Sequence, residues 1–278
     1  MRLLFLILTL LTMNSYAQPL KIITSIKPLA LIAKDIAGNR AEVDYLVPNE
    51  GSIHHYSMRV SDRLLVDRAD VLLLVGAGLE PFNNKLREVK ADIISIDQLT
   101  GIETLALEEA DHDHADHDVD PHLWLSPHNA VLLAIAVAER LASLDPTHAD
   151  DYLNRAALFE DRSHQQLAVM PTNTNFHFYT YHNAMAYLFV PLGIENQASM
   201  TSSNETGIGM RSLYRLKKQL AADSNACVLV SHAALEKTRK QLGPQVQFAT
   251  LDLLADKEEY SNYHEYLAAM INSIISCH

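Results

Sequence analysis

The sequence predicts an α/β fold with two lobes, each built on a mostly parallel sheet flanked by helices, joined by one long backbone helix. Strand-like and helix-like segments alternate in both halves of the 278 residues. The strand-like segments, such as "DVLLLVGAG" and "ACVLVSH", are almost continuously apolar, which is typical of parallel strands covered on both faces. Between the halves lies a long polar stretch with few helix breakers, which predicts the connecting helix.

The first half contains four predicted strands, at "LKIITSI", "AEVDYLV", "DVLLLVGAG" and "ADIISID". "KPLALIAKDIAG" predicts a helix, because a proline stands at its start and Gly38 at its end. "SDRLLVDRA" predicts a short helix with Ser61 as its N-cap. "SPHNAVLLAIAVAERLASL" carries its apolar residues on one broad face, which predicts an amphipathic helix that ends at Asp145-Pro146.

The second half contains predicted strands at "NFHFYTYH", "ACVLVSH" and "VQFATLD". "NAMAYLFVPLG" predicts a helix ended by Pro191 and Gly193. "MRSLYRLKKQLAAD" predicts a helix with Leu213, Leu216 and Leu220 on one face. "ALEKTRKQLG" and "YHEYLAAMINSIISCH" are predicted as the last two helices. Two lobes of similar plan would form a cleft, where a ligand can bind.

The N-terminus is predicted to be a secretory signal peptide over residues 1–17, with an apolar core and "SYA" before the cleavage point. The apolar run is too short to span a bilayer. No cysteine follows the cleavage point, so a protein without a lipid anchor is expected, free in a bacterial periplasm. The predicted organisation is an N-terminal lobe with a His-rich loop, a linking helix and a C-terminal lobe: 18–145 (loop 110–120), 146–170 and 171–278.

The net charge limits the possible partners, and the two cysteines bear on whether the chain is cross-linked. The net charge of −12 argues against nucleic acid and anionic membranes as partners and is compatible with a cationic ligand. The only two cysteines are Cys227 and Cys277. In an oxidising compartment such a pair most simply forms one disulfide. A pair of thiolate metal ligands is the alternative, disfavoured because Cys277 lies one residue from the chain end.

Several polar residues are predicted at the carboxyl ends of strands, where ligands collect in parallel sheets. They are His54, His55, His182, His232 and Asp252. Three neutral imidazoles with one carboxylate or water make a tetrahedral zinc site, imidazole also suits copper and nickel, and manganese prefers more oxygen ligands. None of these residues has the short spacing of a strong metal motif. Each histidine, taken alone, is more often a hydrogen-bonded structural residue.

The stretch "DHDHADHDVDPHLWLSPH" carries five of the fourteen histidines. His112, His114 and His117 alternate with carboxylates in a tract without fixed geometry, which predicts weak and unselective cation binding. His122 follows the tract beside Trp124, where regular structure resumes, and is the predicted tight ligand.

Four segments, in order, resemble one family. "SIHHYSMRVSD" is similar to "SPHxYxxxPSD", "DPHLWLSPHNA" to "DxHxWLSPxNA", "YHNAMAYL" to "HDAYGYF", and "TLDLLA" to "LDPLG". These motifs are found in the zinc-uptake (ZnuA-like) type of periplasmic metal-binding protein of ABC importers. The resemblance covers nearly the whole mature chain.

The resemblance implies that a metal ion is held between the lobes by His54, His122 and His182, with Asp252 as the acidic residue of the second lobe. It also implies a disulfide in the second lobe and no enzymatic activity. Three histidines favour Zn²⁺, because manganese-binding relatives usually present two histidines and two carboxylates. The candidates for secondary metal binding are His55, His232, His112, His114 and His117.

The implied role is capture of Zn²⁺ with high affinity and its delivery to an ABC permease in the inner membrane, by a monomer. The sequence departs from the family pattern at Ile53, where a proline is usual, and this leaves His54 and His55 as alternatives for the first ligand. It also departs at Ser231-His232, where zinc-binding relatives often have Glu-Pro. "LDLLA" also lacks the usual proline, so the loop after Asp252 is expected to differ.

Three other functions fit parts of the pattern. A manganese or iron importer subunit would share the fold. A zinc hydrolase would need a general base beside a metal-bound water. The sequence has no HExxH motif, and Glu80 and Glu205, the only candidate bases, are better explained as loop or cap residues. A periplasmic zinc buffer, acting without a permease, is the third alternative.

Overall fold

The computed structural model describes most of the chain as two parallel sheets flanked by helices, which confirms the predicted fold class. The predicted signal peptide and the histidines of the tract, His112, His114 and His117, lie outside the described residues. The described residues are 18–48, 53–86, 88–106, 119–169, 176–182, 184–201, 209–256 and 259–277.

The first sheet has four parallel strands in the order β2-β1-β3-β4. The strands are β1 (Leu20–Thr24), β2 (Ala41–Tyr45), β3 (Val71–Leu74) and β4 (Asp92–Ser95). The helices of this half are α1 (Lys27–Ala37), α2 (Val60–Val66), α3 (Pro127–Leu144) and α4 (Ala149–Ala168). β3 is buried along its whole length, as its uniformly apolar sequence predicts.

The second sheet repeats this strand order, as β6-β5-β7-β8, again with every pair parallel. Its strands are β5 (His177–His182), β6 (Asn196–Thr201), β7 (Ala226–Ser231) and β8 (Gln247–Leu251). Its helices are α5 (Ala186–Leu192), α6 (Met210–Ala222), α7 (His232–Leu242) and α8 (Tyr263–Ile275). In both sheets the second strand in sequence therefore lies at an edge.

Three local predictions differ from the structure. Strand β6 was not predicted, because "NQASMT" is a polar edge strand whose structure depends on pairing with β5. Ser61 is not an N-cap but lies inside α2, where Asp62 accepts a hydrogen bond from the Arg59 N–H at 2.6 Å. Pro191 lies inside α5, and the helix ends at Gly193, whose φ of 63° is left-handed.

The two halves share one hydrophobic core. A single cluster of buried residues includes Ile22 of β1, Leu133 of α3, Phe178 of β5 and Ile274 of α8. Helix α4, inside the segment predicted as the link, packs against α1 and α3 of the first half and against α8 of the second. The lobes are thus joined by apolar burial as well as by the chain itself.

Helix α8 is fixed at both ends. At its start, the Tyr263 N–H donates to Asp35 of α1 at 3.1 Å, and burial raises the pKa of that carboxyl to about 6. Just after its end, Cys277 forms a disulfide with Cys227 of β7, as the cysteine count predicts. The last helix therefore ties the first half of the chain to the second sheet. None of the described helices has both the length and the apolar character needed to cross a bilayer.

Candidate metal centre

Three imidazoles meet where the two halves face each other. His54 lies in a short 3₁₀ helix (Ile53–His55), His122 precedes another (Leu123–Leu125), and His182 ends β5. One ring nitrogen from each lies within 4.8 Å of the others. The Nε2 atoms of His122 and His182 are 3.2 Å apart. Two nitrogens bound to one tetrahedral zinc ion at the usual bond length are about 3.3 Å apart, so this pair already has a metal-binding spacing.

His54 is held in place by its neighbour Ile53. Ile53 is 3% exposed and belongs to the main core, whereas His55 on the other side is exposed. The residue that replaces the family's proline therefore anchors the turn, and His54 rather than His55 faces the other two histidines. Burial, with the neighbouring imidazoles of His122 and His182, lowers the pKa of His54 to about 3. His54 is neutral at ordinary pH, so a metal ion need not displace a proton from it.

His122 is oriented by a buried carboxylate. Its Nδ1 lies 2.7 Å from Asp120 Oδ1, and its backbone N–H donates to the same oxygen at 2.9 Å. An ionised carboxylate only accepts hydrogen bonds, so Nδ1 carries the proton and the Nε2 lone pair faces His182. A carboxylate behind a ligating histidine fixes its tautomer and raises its basicity. Asp120 was not predicted, although its place two residues before His122, in "DPH", is a signal that could have been used.

Trp124 connects the loop of His122 with the second half. Its ring lies 5.3 Å from the His122 ring, and its Nε1–H donates to the Leu253 carbonyl at 3.2 Å. The Tyr263 hydroxyl of α8 donates to the Trp124 carbonyl at 3.1 Å. Nearby, the Tyr187 hydroxyl of α5 donates to the Asp120 carbonyl at 2.9 Å. The loop that carries His122 is thus hydrogen-bonded to the second half of the chain.

Asp252 and His232 line the same cavity of about 390 Å³ as the three histidines. Among the described residues, however, the group with ligand atoms within 4.8 Å of one another comprises only the histidines. Asp252 is 9% exposed, and its carboxylate accepts hydrogen bonds from the Asp256 N–H at 2.7 Å and the Tyr260 hydroxyl at 3.2 Å. His232 is the exposed first residue of α7. Both lie on the wall of the cavity rather than in the three-histidine group.

The remaining candidates lie elsewhere. Glu80, the described candidate base, is buried and accepts the N–H groups of Val75 and Gly76 at 2.7 and 2.9 Å. It is not among the described residues that line the cavity. The other candidate base, Glu205, lies outside the described residues, as does the tract with His112, His114 and His117. Glu80 thus shapes a loop, as the sequence suggests.

Loss of the Asp120 carboxylate is expected to weaken zinc binding without unfolding the protein. Asp120→Ala should reduce the affinity by about 10- to 100-fold, because the imidazole of His122 loses its orientation and part of its basicity. Competition with a chromophoric chelator measures the change. Asp145→Ala is the matched control. The Asp145 carboxylate lies 2.7 Å from His148 Nδ1, the same distance as in the Asp120–His122 pair, but this pair does not line the cavity. Equal affinities of the two variants would contradict the role given to Asp120.

Solved structures that share this architecture include metal-bound proteins. A crystal structure of ZnuA has a TM-score of 0.78 and 23% identity, and the match covers 93% of this chain and 98% of that one. Among curated relatives, the high-affinity zinc uptake system protein ZnuA of Yersinia pestis is 27% identical, over 92% of this chain and 90% of its own length. The manganese-binding lipoprotein MntA of Halalkalibacterium halodurans is 32% identical, over 55% of this chain and 52% of its own.

The fold and these relationships define a metal-binding, periplasmic substrate-binding protein of ABC importers. A family model described as "Zinc-uptake complex component A periplasmic" (ZnuA) matches residues 22–277, and the chain belongs to this family. Family membership confirms the prediction of a transport component rather than an enzyme.

Proposed function

We propose that this protein captures Zn²⁺ in the periplasm with His54, His122 and His182 and delivers it to an ABC permease in the inner membrane. The observation that supports this most is the convergence of three imidazole nitrogens within 4.8 Å of one another. Imidazole is a preferred zinc ligand, and three of them leave a fourth tetrahedral position for water or a residue of the cavity wall. An open fourth position suits a carrier, which must release its cargo.

The ligand atoms favour zinc over manganese. Manganese prefers oxygen ligands. Asp252 supplies a carboxylate to the cavity wall, but this carboxylate already accepts hydrogen bonds from Asp256 and Tyr260. Asp252 is proposed as the acidic residue that offsets part of the cation's charge from the cavity wall. His55, His232 and the tract with His112, His114 and His117 are proposed as weaker secondary sites.

The proposal has three further features that the sequence predicts: its export, its oligomeric state and its division into lobes. We propose that residues 1–17 act as a signal peptide and that the mature protein is a free periplasmic monomer. The net charge of −12 favours a cation over nucleic acid as the partner. The lobes correspond to residues 18–145 and 171–278, with 146–170 as the link.

Metal competition tests the choice of zinc. We expect the purified protein to bind Zn²⁺ at least about 100-fold more tightly than Mn²⁺, because three nitrogen ligands suit zinc and disfavour manganese. Displacement of each ion from a calibrated chelator measures the two affinities under one set of conditions. Equal affinities, or a preference for Mn²⁺, would reject zinc as the cargo and favour the role stated in the name of the Halalkalibacterium relative.

A further inference from the structure

The histidine cavity is much larger than a metal ion and its bound water require. Its volume is about 390 Å³. A single water molecule needs only about 15 Å³, whereas cavities of about 300 Å³ and more bind small organic molecules. Besides the histidines, the lining residues include the apolar side chains of Trp124, Met185, Leu253 and Leu254. An apolar wall stabilises the hydrocarbon part of an organic ligand and contributes nothing to a hydrated ion.

Helix α7 forms another part of the cavity wall. Ala233, Ala234 and Lys237 line the cavity, and their spacing places them on one face of the helix. The two alanines are small, so they leave the volume beside them open. Lys237 brings a positive charge to a cavity whose histidines suit a cation. An ammonium group has no lone pair to offer a metal ion, so Lys237 has no role in holding the ion itself.

The charges around the cavity leave room for one anion. Among the described residues that line it, Asp252 and Asp256 are acidic and Lys237 is basic, and metal binding requires neutral imidazoles. A bound Zn²⁺ ion and Lys237 together therefore exceed the two carboxylates by one positive charge. In a partly enclosed cavity, where water screens charges less than in bulk, a ligand with a single negative charge restores the balance.

We infer that the cavity binds Zn²⁺ together with a small monocarboxylate that has an apolar tail. The inference rests on the proposed function, because the three histidines must hold the ion first. The carboxylate fills the fourth position on the zinc ion and pairs with the ammonium group of Lys237. The tail packs against the apolar wall that includes Met185, Leu253 and Leu254. The cargo is then a ternary complex rather than the bare ion.

Two other contents fit the cavity less well. Water alone fills the fourth position on the zinc ion, but it leaves the apolar wall hydrated and supplies no negative charge beside Lys237. An inorganic anion such as sulfate supplies the charge and gains nothing from the apolar wall. A monocarboxylate with a short hydrocarbon tail suits the ion, the lysine and the wall at once.

The effect of one ligand on the affinity for the other tests the inference. The probe is butanoate, and its uncharged analogue butanamide is the matched control. A ligand that binds only the zinc-loaded protein raises the zinc affinity by the factor 1 + [L]/Kd, so a Kd of about 1 mM predicts about tenfold tighter zinc binding at about 10 mM butanoate. Acetate, which lacks two CH₂ groups, should bind about tenfold more weakly than butanoate.

The zinc affinity is measured by competition with a chromophoric chelator at constant ionic strength. The chelator is calibrated with each probe in the absence of protein. Butanamide should change the zinc affinity by less than about twofold, because it has no charge to pair with Lys237. The readout is the ratio of the zinc affinities with and without the probe, so a variant whose zinc affinity itself differs is still informative.

Variants of α7 assign the effect to its cavity face. Lys237→Met removes the charge and Ala233→Leu fills part of the volume, so both should reduce the butanoate ratio to less than about twofold. Lys237→Arg keeps the charge and should keep most of the ratio. Lys240→Met is the matched control and should respond as the wild type does, since Lys240 lies on the same helix but is not among the described residues that line the cavity.

Four results would overturn the inference. The first is a wild-type zinc affinity that butanoate leaves unchanged, which would show that water fills the cavity. The second is an equal effect of butanoate and of either butanamide or acetate. The third is the full wild-type ratio in Lys237→Met, and the fourth is an effect of sulfate as large as that of butanoate. Weak zinc binding by the wild type without any probe would instead reject the proposed function.

Discussion

Zinc binding by the His182→Ala variant should be weaker by on the order of a thousandfold. An apparent binding free energy of about 10–16 kcal/mol, shared among three or four ligands, leaves about 3–5 kcal/mol for each. The Nε2 atom of His182 lies 3.2 Å from that of His122. Without the His182 side chain, the ion keeps two imidazole ligands, and no other described residue places a ligand atom within the same short range. Isothermal titration with a competing chelator covers the required range of affinity.

Two comparisons make the result specific to the three-histidine group. His55→Ala removes an exposed imidazole one residue from His54, and deletion of residues 111–118 removes His112, His114 and His117. Both changes are expected to alter the affinity by less than about tenfold, because weakly held histidines contribute little to a site with fixed geometry. If the deletion costs as much affinity as His182→Ala, the tract holds the tightly bound ion and the assignment is wrong.

Removal of the disulfide should cause the largest loss of stability. The bond between Cys227 and Cys277 closes a loop with a sequence separation of 50 residues. On the chain-entropy model such a loop contributes about 4 kcal/mol by restricting the unfolded chain. The double variant Cys227→Ala/Cys277→Ala is therefore expected to melt about 10 °C lower than the wild type, by calorimetry.

Reduction provides a matched test of the same bond. Dithiothreitol should lower the melting temperature of the wild type towards that of the double variant and leave the variant unchanged. Since Cys227 lies inside β7 and Cys277 just beyond α8, the bond is not part of the histidine group, and zinc affinity in the variant should stay within a few-fold. A loss of less than about 1 kcal/mol would show that the packing of α8 alone holds the C-terminus.

Strongly periodic or uniformly apolar segments made most of the fold predictable. Strands such as β3 and β7 are buried over nearly their whole length, so their sequences alone indicate parallel strands. Strand β6 has no such pattern, and its structure depends on hydrogen bonds with β5. The start of α2 was also misplaced, since the N-cap is Arg59 rather than Ser61, and the Asp62 carboxylate inside the helix accepts from the Arg59 N–H and the Tyr56 hydroxyl.

The candidate site was less predictable, because its residues are far apart in the sequence. Their positions near strand ends and the resemblance to family motifs identified His54, His122 and His182 as candidate ligands. Neither showed that His54, rather than His55, faces the others, since that depends on the packing of Ile53 in the core. The supporting role of Asp120 depends on one hydrogen bond to His122 Nδ1, which composition and spacing do not reveal.

A crystal structure of the zinc-loaded protein, with diffraction data collected on both sides of the zinc absorption edge, tests the central claim most directly. We expect one strong anomalous peak at about 2.0–2.1 Å from a ring nitrogen of each of His54, His122 and His182. A fully occupied peak elsewhere, with no density among these three rings, would contradict the account.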